Sequence, residues 1–124
     1  MPSFPLRAAA LSALLLTAGC AGLSPPPHRK PDPDLVSALD RLAKHRCNRE
    51  AASVLTAVGM AAGDVRSLWV YTVPRYSGES LGGPEAHVGL NGQPGSVIIP
   101  MTDDCKARQV YTTGGARVPG MTGW

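Results

Sequence analysis

The chain has few aromatic residues, few cysteines and little excess charge. Aromatic side chains make up 5% of the 124 residues, and the formal net charge at pH 7 is +3. Nonspecific nucleic-acid binding needs many basic side chains, so this near balance argues against that function. No apolar run reaches the roughly 18 residues of a membrane-spanning helix. The three cysteines include no C-x-x-C pair, which argues against a redox motif or a zinc site.

The N-terminal segment has the pattern of a cleavable secretion signal. One positive charge lies within Met1 to Arg7, and the mainly apolar stretch from Ala8 to Leu16 is too short to cross a bilayer. The next residues, Thr17-Ala18-Gly19-Cys20, resemble the bacterial lipobox, which usually has leucine at the position of Thr17. The resemblance implies cleavage at residue 19 and lipidation of Cys20. The alternative is an ordinary signal peptide whose Cys20 forms a disulfide.

Residues 20–31 are predicted to form a tether that follows the lipid anchor. The stretch contains Pro25-Pro26-Pro27 and Pro31, and almost nothing in it can be buried. An extended polyproline segment rises about 3.1 Å per residue, so the tether would hold a domain roughly 30 Å above the lipid. We expect the folded domain over residues 32–113 and a glycine-rich tail over residues 114–124.

The other two cysteines, Cys47 and Cys105, are expected to form a disulfide. A secreted protein enters a compartment where disulfides form and persist. In the chain-entropy model, closing a loop of about 58 residues contributes on the order of 4 kcal/mol, which is a large share of a small domain's stability. The bridge would therefore have a structural role. After removal of Arg7 with the signal, basic residues exceed acidic ones by only two.

The first half of the domain is predicted to be helical. Apolar residues recur at helical spacing from Leu35 to Ala62, which fits one long helix or two short helices broken near Asn48. A capping residue and a proline indicate where the helix starts, and a glycine indicates where it ends. These residues are Asp32, Pro33, and either Gly59 or Gly63.

The second half is predicted to be a small antiparallel meander of three to four strands. The expected strands are residues 67–73, 86–90, 96–99 and 107–113, which are rich in β-branched and aromatic side chains. Asn91-Gly92 followed by Pro94 predicts a longer hairpin loop, and Pro100 predicts a strand end or an edge. The fold class is therefore α+β, with the helical part covering the apolar face of the sheet. Trp69 and either Tyr71 or Tyr111 are expected in the core.

One motif points to catalysis, because residues 78–82 match G-x-S-x-G, the nucleophile elbow of serine hydrolases, with Ser80 as nucleophile. In that family the acid precedes the histidine, whereas here Asp103 and Asp104 lie after His87, and no histidine follows them. The histidines, which are His28, His45 and His87, also lack the paired spacing of a zinc site. We expect a loop at Ser80, no enzymatic activity and no cofactor. A small serine hydrolase is the most distant alternative.

Two segments are expected to contact a partner, the loop of residues 75–85 and the C-terminal tail. Loops carry a large share of binding residues, and a tryptophan at the end of a chain has no obvious core to enter. The candidate contact residues are Arg75, Tyr76, Glu79 and Trp124.

Two further resemblances bear on function. The stretch from Arg49 to Tyr71 looks like the small outer-membrane lipoproteins of the β-barrel assembly machinery, which pair two short helices with a three-stranded sheet. Those domains usually have proline where Met60-Ala61-Ala62 stands here, and they commonly lack a helix-to-strand disulfide. The segment Arg75-Tyr76-Ser77-Gly78 is similar to part of the membrane-bound lysozyme inhibitors. Those are all-β barrels, unlike the helical first half expected here.

Taken together, the sequence predicts a lipoprotein that docks on an envelope complex as a non-enzymatic accessory subunit. The expected partners are the lipid membrane, through acylated Cys20, and an envelope protein, with no nucleic acid. By resemblance to enterobacterial sorting, Ala21 after the lipidated cysteine favours the outer membrane, with the domain facing the periplasm. The alternative is a periplasmic binder or inhibitor of a soluble factor such as a lysozyme.

Overall fold

The computed structural model describes residues 25–74, 82–121 and 123. Two helices, α1 (Pro33–Leu42) and α2 (Asn48–Ala57), precede four strands. The strands are β1 (Val65–Val73), β2 (Gly83–Leu90), β3 (Ser96–Pro100) and β4 (Tyr111–Thr113). Neighbours in the chain pair antiparallel, so the sheet order is β1-β2-β3-β4. The predicted α+β fold, with helices on a small meander, is confirmed.

The helical half is divided into two helices by residues 43–47. Asn48, the first residue of α2, is buried, and its side-chain amide donates to Oδ1 of Asp40 at 2.8 Å and to the carbonyl of Ala43 at 2.7 Å. Asp40 lies in the last turn of α1 and Ala43 directly follows the helix, so the Asn48 side chain fixes the turn between the helices. The helices are therefore separated near Asn48, as the sequence predicted.

The predicted helix ends are confirmed at both extremes of the helical half. Oδ1 of Asp32 accepts a hydrogen bond from the backbone N–H of Asp34 at 2.9 Å, and Pro33 occupies the first position of α1. After α2, Gly59 has a φ of +84°, a left-handed conformation that glycine adopts without steric cost. None of the described helices is long and apolar enough to cross a membrane.

The core lies between the helices and one face of the sheet. Both helices and β1, β2 and β3 contribute its apolar side chains, which include Leu35, Leu39, Val54, Leu55, Leu68, Val88, Val97 and Ile99. On the sheet, Leu68 is opposite Val88, and Val88 is opposite Val97. This row shows which face of each strand is covered, because successive side chains in a strand point to opposite faces.

The disulfide between Cys47 and Cys105 is present and joins the start of α2 to a turn after β3, with an S–S distance of 2.03 Å. Cys105 lies in a turn, with a φ of +59°, between the strands expected over residues 96–99 and 107–113. The last strand is shorter than the expected residues 107–113. Only Tyr111–Thr113 pairs with β3, while Ala107 forms an isolated bridge to Met101.

The last residues of the predicted tether lie against α2. Nε2 of His28 is 2.5 Å from Oε1 of Glu50, and the backbone N–H of Arg29 donates to the carbonyl of Ser53 at 3.2 Å. Contacts with the domain therefore begin before residue 32, where we expected folded structure to start. The contacts form because α2 offers two hydrogen-bond acceptors to this segment, the carboxylate of Glu50 and the carbonyl of Ser53. Less of the chain remains to extend as a free tether than the sequence suggested.

Candidate functional site

The face of the sheet opposite the helices carries a group of aromatic and polar side chains. We call it the open face, and its residues are Trp69, Tyr71, Val73, Glu85, His87, Ile98 and Tyr111. Trp69 is 64% exposed, Tyr71 49% and Val73 38%. Contiguous exposed apolar surface on a small protein marks interaction sites. The open face is therefore the candidate functional site among the described residues.

The position of Trp69 corrects an expectation from the sequence. Leu68-Trp69-Val70-Tyr71 is apolar throughout, so the pattern alone does not show which residues point inward. The register resolves it, because Leu68 lies opposite Val88 on the core side and its neighbour must then project to the other side. The prediction that Trp69 lies in the core was wrong. Tyr71 and the half-buried Tyr111 also lie on the open face.

Direct contacts order the exposed rings. The ring centroids of Trp69 and Tyr71 are 5.8 Å apart, and those of Tyr71 and His87 are 4.8 Å apart in an edge-to-face arrangement. Nε2 of His87 lies 2.8 Å from Oε1 of Glu85, to which the ring donates. The chain of contacts holds these side chains in one arrangement before any partner binds. Such preorganisation reduces the entropy lost on association.

Tyr111 and Glu85 influence each other across the open face. Burial raises the pKa of the Tyr111 phenol, and the nearby Glu85 carboxylate raises it further because it disfavours a phenolate. The phenol thus stays neutral at physiological pH and keeps its hydrogen to donate. Glu85 supplies a negative charge beside it. The open face accordingly combines apolar ring surface with a small polar centre.

A groove continues the open face at one end of the sheet. Its volume is about 460 Å³, and its walls include Val73, Glu85, Pro100, Arg108 and Tyr111. The walls are mainly apolar, with the carboxylate of Glu85 from β2 and the guanidinium of Arg108 from the connection between β3 and β4. A groove of this size and composition accepts a side chain or a small ligand group. It lies next to Gly82, directly before β2.

All four candidate contact residues proposed from the sequence lie outside the described residues; these are Arg75, Tyr76, Glu79 and Trp124. The predicted lipidation site, Cys20, and Ser80 of the hydrolase-like motif lie outside them as well. Sequence reasoning did not select Glu85 and His87 as partners of exposed rings. The available signal was the run of apolar residues in β1, because only alternate residues of a strand can face one core.

The three histidines lie in separate environments. His28 contacts α2, and His87 belongs to the open face. His45 lies in the connection between the helices rather than on a helix, and its Nδ1 accepts from the backbone N–H of Cys47 at 3.1 Å. Burial lowers the pKa of His45, and neighbouring Arg46 lowers it further. Within the described ranges, no three His, Cys, Asp or Glu side chains form a group that could hold a metal ion.

The fold and its surface define a small disulfide-bonded α+β domain with one covered and one open sheet face. No family model, curated protein or solved structure matches this chain. Inferences about its function therefore rest on its own residues and geometry.

Proposed function

We propose that this protein is a non-enzymatic accessory subunit that is anchored by lipid at Cys20 and docks on another envelope protein. The observation that carries the proposal is the exposure of Trp69 and Tyr71 on the open face. Tryptophan and tyrosine are enriched among residues that dominate binding energy, because they offer large rigid surfaces with few rotamers to fix. Their contacts with each other and with His87 add to this rigidity.

The composition of the open face indicates the chemistry of the partner. Apolar rings surround the carboxylate of Glu85 and the imidazole of His87, and Arg108 lies in the adjoining groove. A complementary surface would offer an apolar patch with a few hydrogen-bonding or charged groups at its margin. This description fits a folded protein surface. We place the protein at the outer membrane facing the periplasm, in keeping with the lipobox resemblance.

A second candidate, a binder or inhibitor of a soluble factor, is favoured by the groove beside Glu85 and Arg108. An inhibitor often inserts or receives one side chain at the active site of its target, and a volume of about 460 Å³ is sufficient. The two candidates differ in the partner and in their dependence on the anchor. A docking subunit requires the membrane, whereas an inhibitor binds its target without it.

Cross-linking in intact cells, followed by capture and mass spectrometry, tests the proposal. Four forms are compared: the native protein, Cys20→Ala, the double variant Trp69→Ala/Tyr71→Ala, and Arg41→Ala as a control for an exposed residue of α1, on the other side of the sheet. We expect one envelope complex with the native and control proteins. Its yield should fall at least tenfold with each of the other two. A soluble enzyme captured equally by the Cys20→Ala form would favour the inhibitor.

The anchor itself has a direct test. Cells grown with labelled palmitate should incorporate it into the native protein and not into Cys20→Ala. Absence of label in the native protein would contradict the lipobox assignment. The same complex captured regardless of Trp69 and Tyr71 would contradict docking through the open face.

A further inference from the structure

The outer edge of β1 is the basis of a second inference, which does not depend on the lipid anchor. Among the described strands, β1 has a neighbour on one side only, because it ends the order β1-β2-β3-β4. Edge strands usually carry proline, lysine or inward-pointing charges that prevent pairing with another chain. β1 has nine residues, contains neither proline nor glycine, and carries one charged residue, Arg66.

The hydrogen-bond pattern of β2 shows which way its backbone groups point. The N–H of Met101 donates to the carbonyl of Pro84 at 2.8 Å, so Pro84 directs its carbonyl toward the β3 side. In an antiparallel sheet, successive residues direct their N–H and C=O groups to alternate sides. The backbone N–H and C=O groups of Glu85 and His87 therefore point toward β1. Asn91, directly after β2, also points its N–H toward the β1 side, where it donates to the carbonyl of Asp64 at 2.8 Å.

The same alternation applies to β1. Tyr71 lies opposite Glu85, and Trp69 lies opposite His87, so both direct their backbone groups toward β2. The residues between and beside them must direct their backbone groups away from β2. Leu68, Val70 and Thr72 consequently present their N–H and C=O groups at the outer edge, where no described strand accepts them.

We propose that this edge pairs with β1 of a second copy of the chain, antiparallel about a two-fold axis at Val70. A register shift between Val65 and Ser67 limits the regular part of β1 to residues 67–73, and Val70 is its centre. Centring the axis there pairs the whole regular part. Val70 is opposite Val70 of the partner subunit, and Leu68 is opposite Thr72 of the partner subunit. All these residues present backbone groups to the edge.

This register also joins the aromatic side chains of the two open faces. Trp69 lies opposite Tyr71 of the partner subunit, at a non-hydrogen-bonded position where side chains approach more closely. The dyad repeats the pair, so the four rings form one cluster, two on each strand. Residues 67–73 contain no charged side chain, and like charges do not meet in this part of the interface. The self-complementary pattern is the reason for choosing a second copy as the occupant.

The expected dimer is weak in solution. Pairing through one edge buries less surface than the roughly 1,200 Å² typical of stable interfaces, so association should depend on concentration. Two copies held in one membrane would reach a much higher effective concentration. The dimer would present a continuous eight-stranded sheet with one open face.

Sedimentation equilibrium of the full-length protein in detergent, from about 1 to 300 μM, tests the inference. Thr72→Pro removes an N–H at the outer edge without removing a bond to β2, and prolines are tolerated at such positions. We expect it to weaken dimerisation at least tenfold. The matched variant Thr72→Val keeps the N–H group and should dimerise like the native protein. Thermal unfolding checks that both variants remain folded.

Trp69→Ala provides a second variant in case proline disturbs the fold. It removes a cross-strand ring pair and should weaken the dimer about three- to tenfold. A native protein that is monomeric throughout the concentration range would overturn the inference. So would a dimer that loses affinity with Trp69→Ala while Thr72→Pro leaves it unchanged, because association would then use the open face rather than the edge.

Discussion

On β1, Leu68 is 7% exposed and contacts the helical layer, whereas the next residue, Trp69, is 64% exposed on the open face. The same contrast runs through β2, where Val88 is buried in the core and neighbouring His87 is half-buried on the other side. Burial of apolar side chains is the main source of folding free energy. The covered face therefore stabilises the domain, while the open face is available for binding.

The sharpest test of this division is alanine substitution at the two neighbours on β1. Leu68→Ala removes a core side chain and should lower the free energy of unfolding by about 2–5 kcal/mol. Trp69→Ala removes a larger side chain but should change it by less than about 0.5 kcal/mol, because the ring is mostly in water. Urea unfolding of both variants measures the difference. Equal losses would mean that the open face contributes to folding.

Removal of the disulfide tests how firmly the helical layer is attached to the sheet. The double variant Cys47→Ala/Cys105→Ala should lose about 2–4 kcal/mol, since the unfolded chain gains freedom when the bridge is absent. Urea unfolding with and without a reductant measures this effect. The reductant should destabilise the native protein and leave the double variant unchanged. A similar response of both proteins to the reductant would show that it acts elsewhere.

The sequence contains local signals that predict much of the covered side. Asp32 and Gly59 mark the ends of the helical half through capping chemistry that acts within a few residues. The two available cysteines predicted the disulfide, because secretion of the chain was expected. The helix ends could be predicted because capping depends on neighbouring residues. The disulfide could be predicted because, with Cys20 assigned to the lipid anchor, only one pair of cysteines remains.

The open face was predicted less well because its formation depends on contacts between distant residues. Trp69 and Leu68 are both apolar, and only the register with β2 decides which of them meets the helices. The docking of His28 on Glu50 likewise joins residues that are far apart in the chain. No local pattern in the proline-rich stretch indicates that contact.

Two glutamates that each bind a histidine allow a finer comparison of the two sides. Oε1 of Glu50 contacts His28 and accepts the backbone N–H of Ala107 at 2.8 Å, so it joins the N-terminal segment and α2 to the chain after β3. Glu50→Gln should cost about 1–2 kcal/mol, because hydrogen bonds to a charged group are stronger than neutral ones. Glu85→Gln on the open face is the matched control and should cost less than about 0.5 kcal/mol.

Urea unfolding measures both glutamate variants, and limited trypsin digestion adds a local measurement. The bond after Arg29 is already exposed, but the segment is held on α2 by His28 and by the Arg29 N–H. Release of His28 should loosen the segment, so Glu50→Gln should be cut there faster than the native protein. Glu85→Gln should be cut at the native rate. Equal effects of the two substitutions would remove the distinction between a glutamate that joins segments and one that serves the open face.

The smallest expected effect concerns Tyr111, whose pKa is raised above the ordinary value of 10.0 by burial and by the Glu85 carboxylate. Folding therefore favours the neutral phenol. The contribution is fully present below pH 10, where the phenol is neutral in both states, and is lost as the pH rises through the higher folded-state pKa. Above pH 10, the native protein should lose stability more steeply than Tyr111→Phe in urea unfolding. A constant difference between the two proteins from pH 8 to about pH 11 would show that the open face does not disfavour a charge at this position.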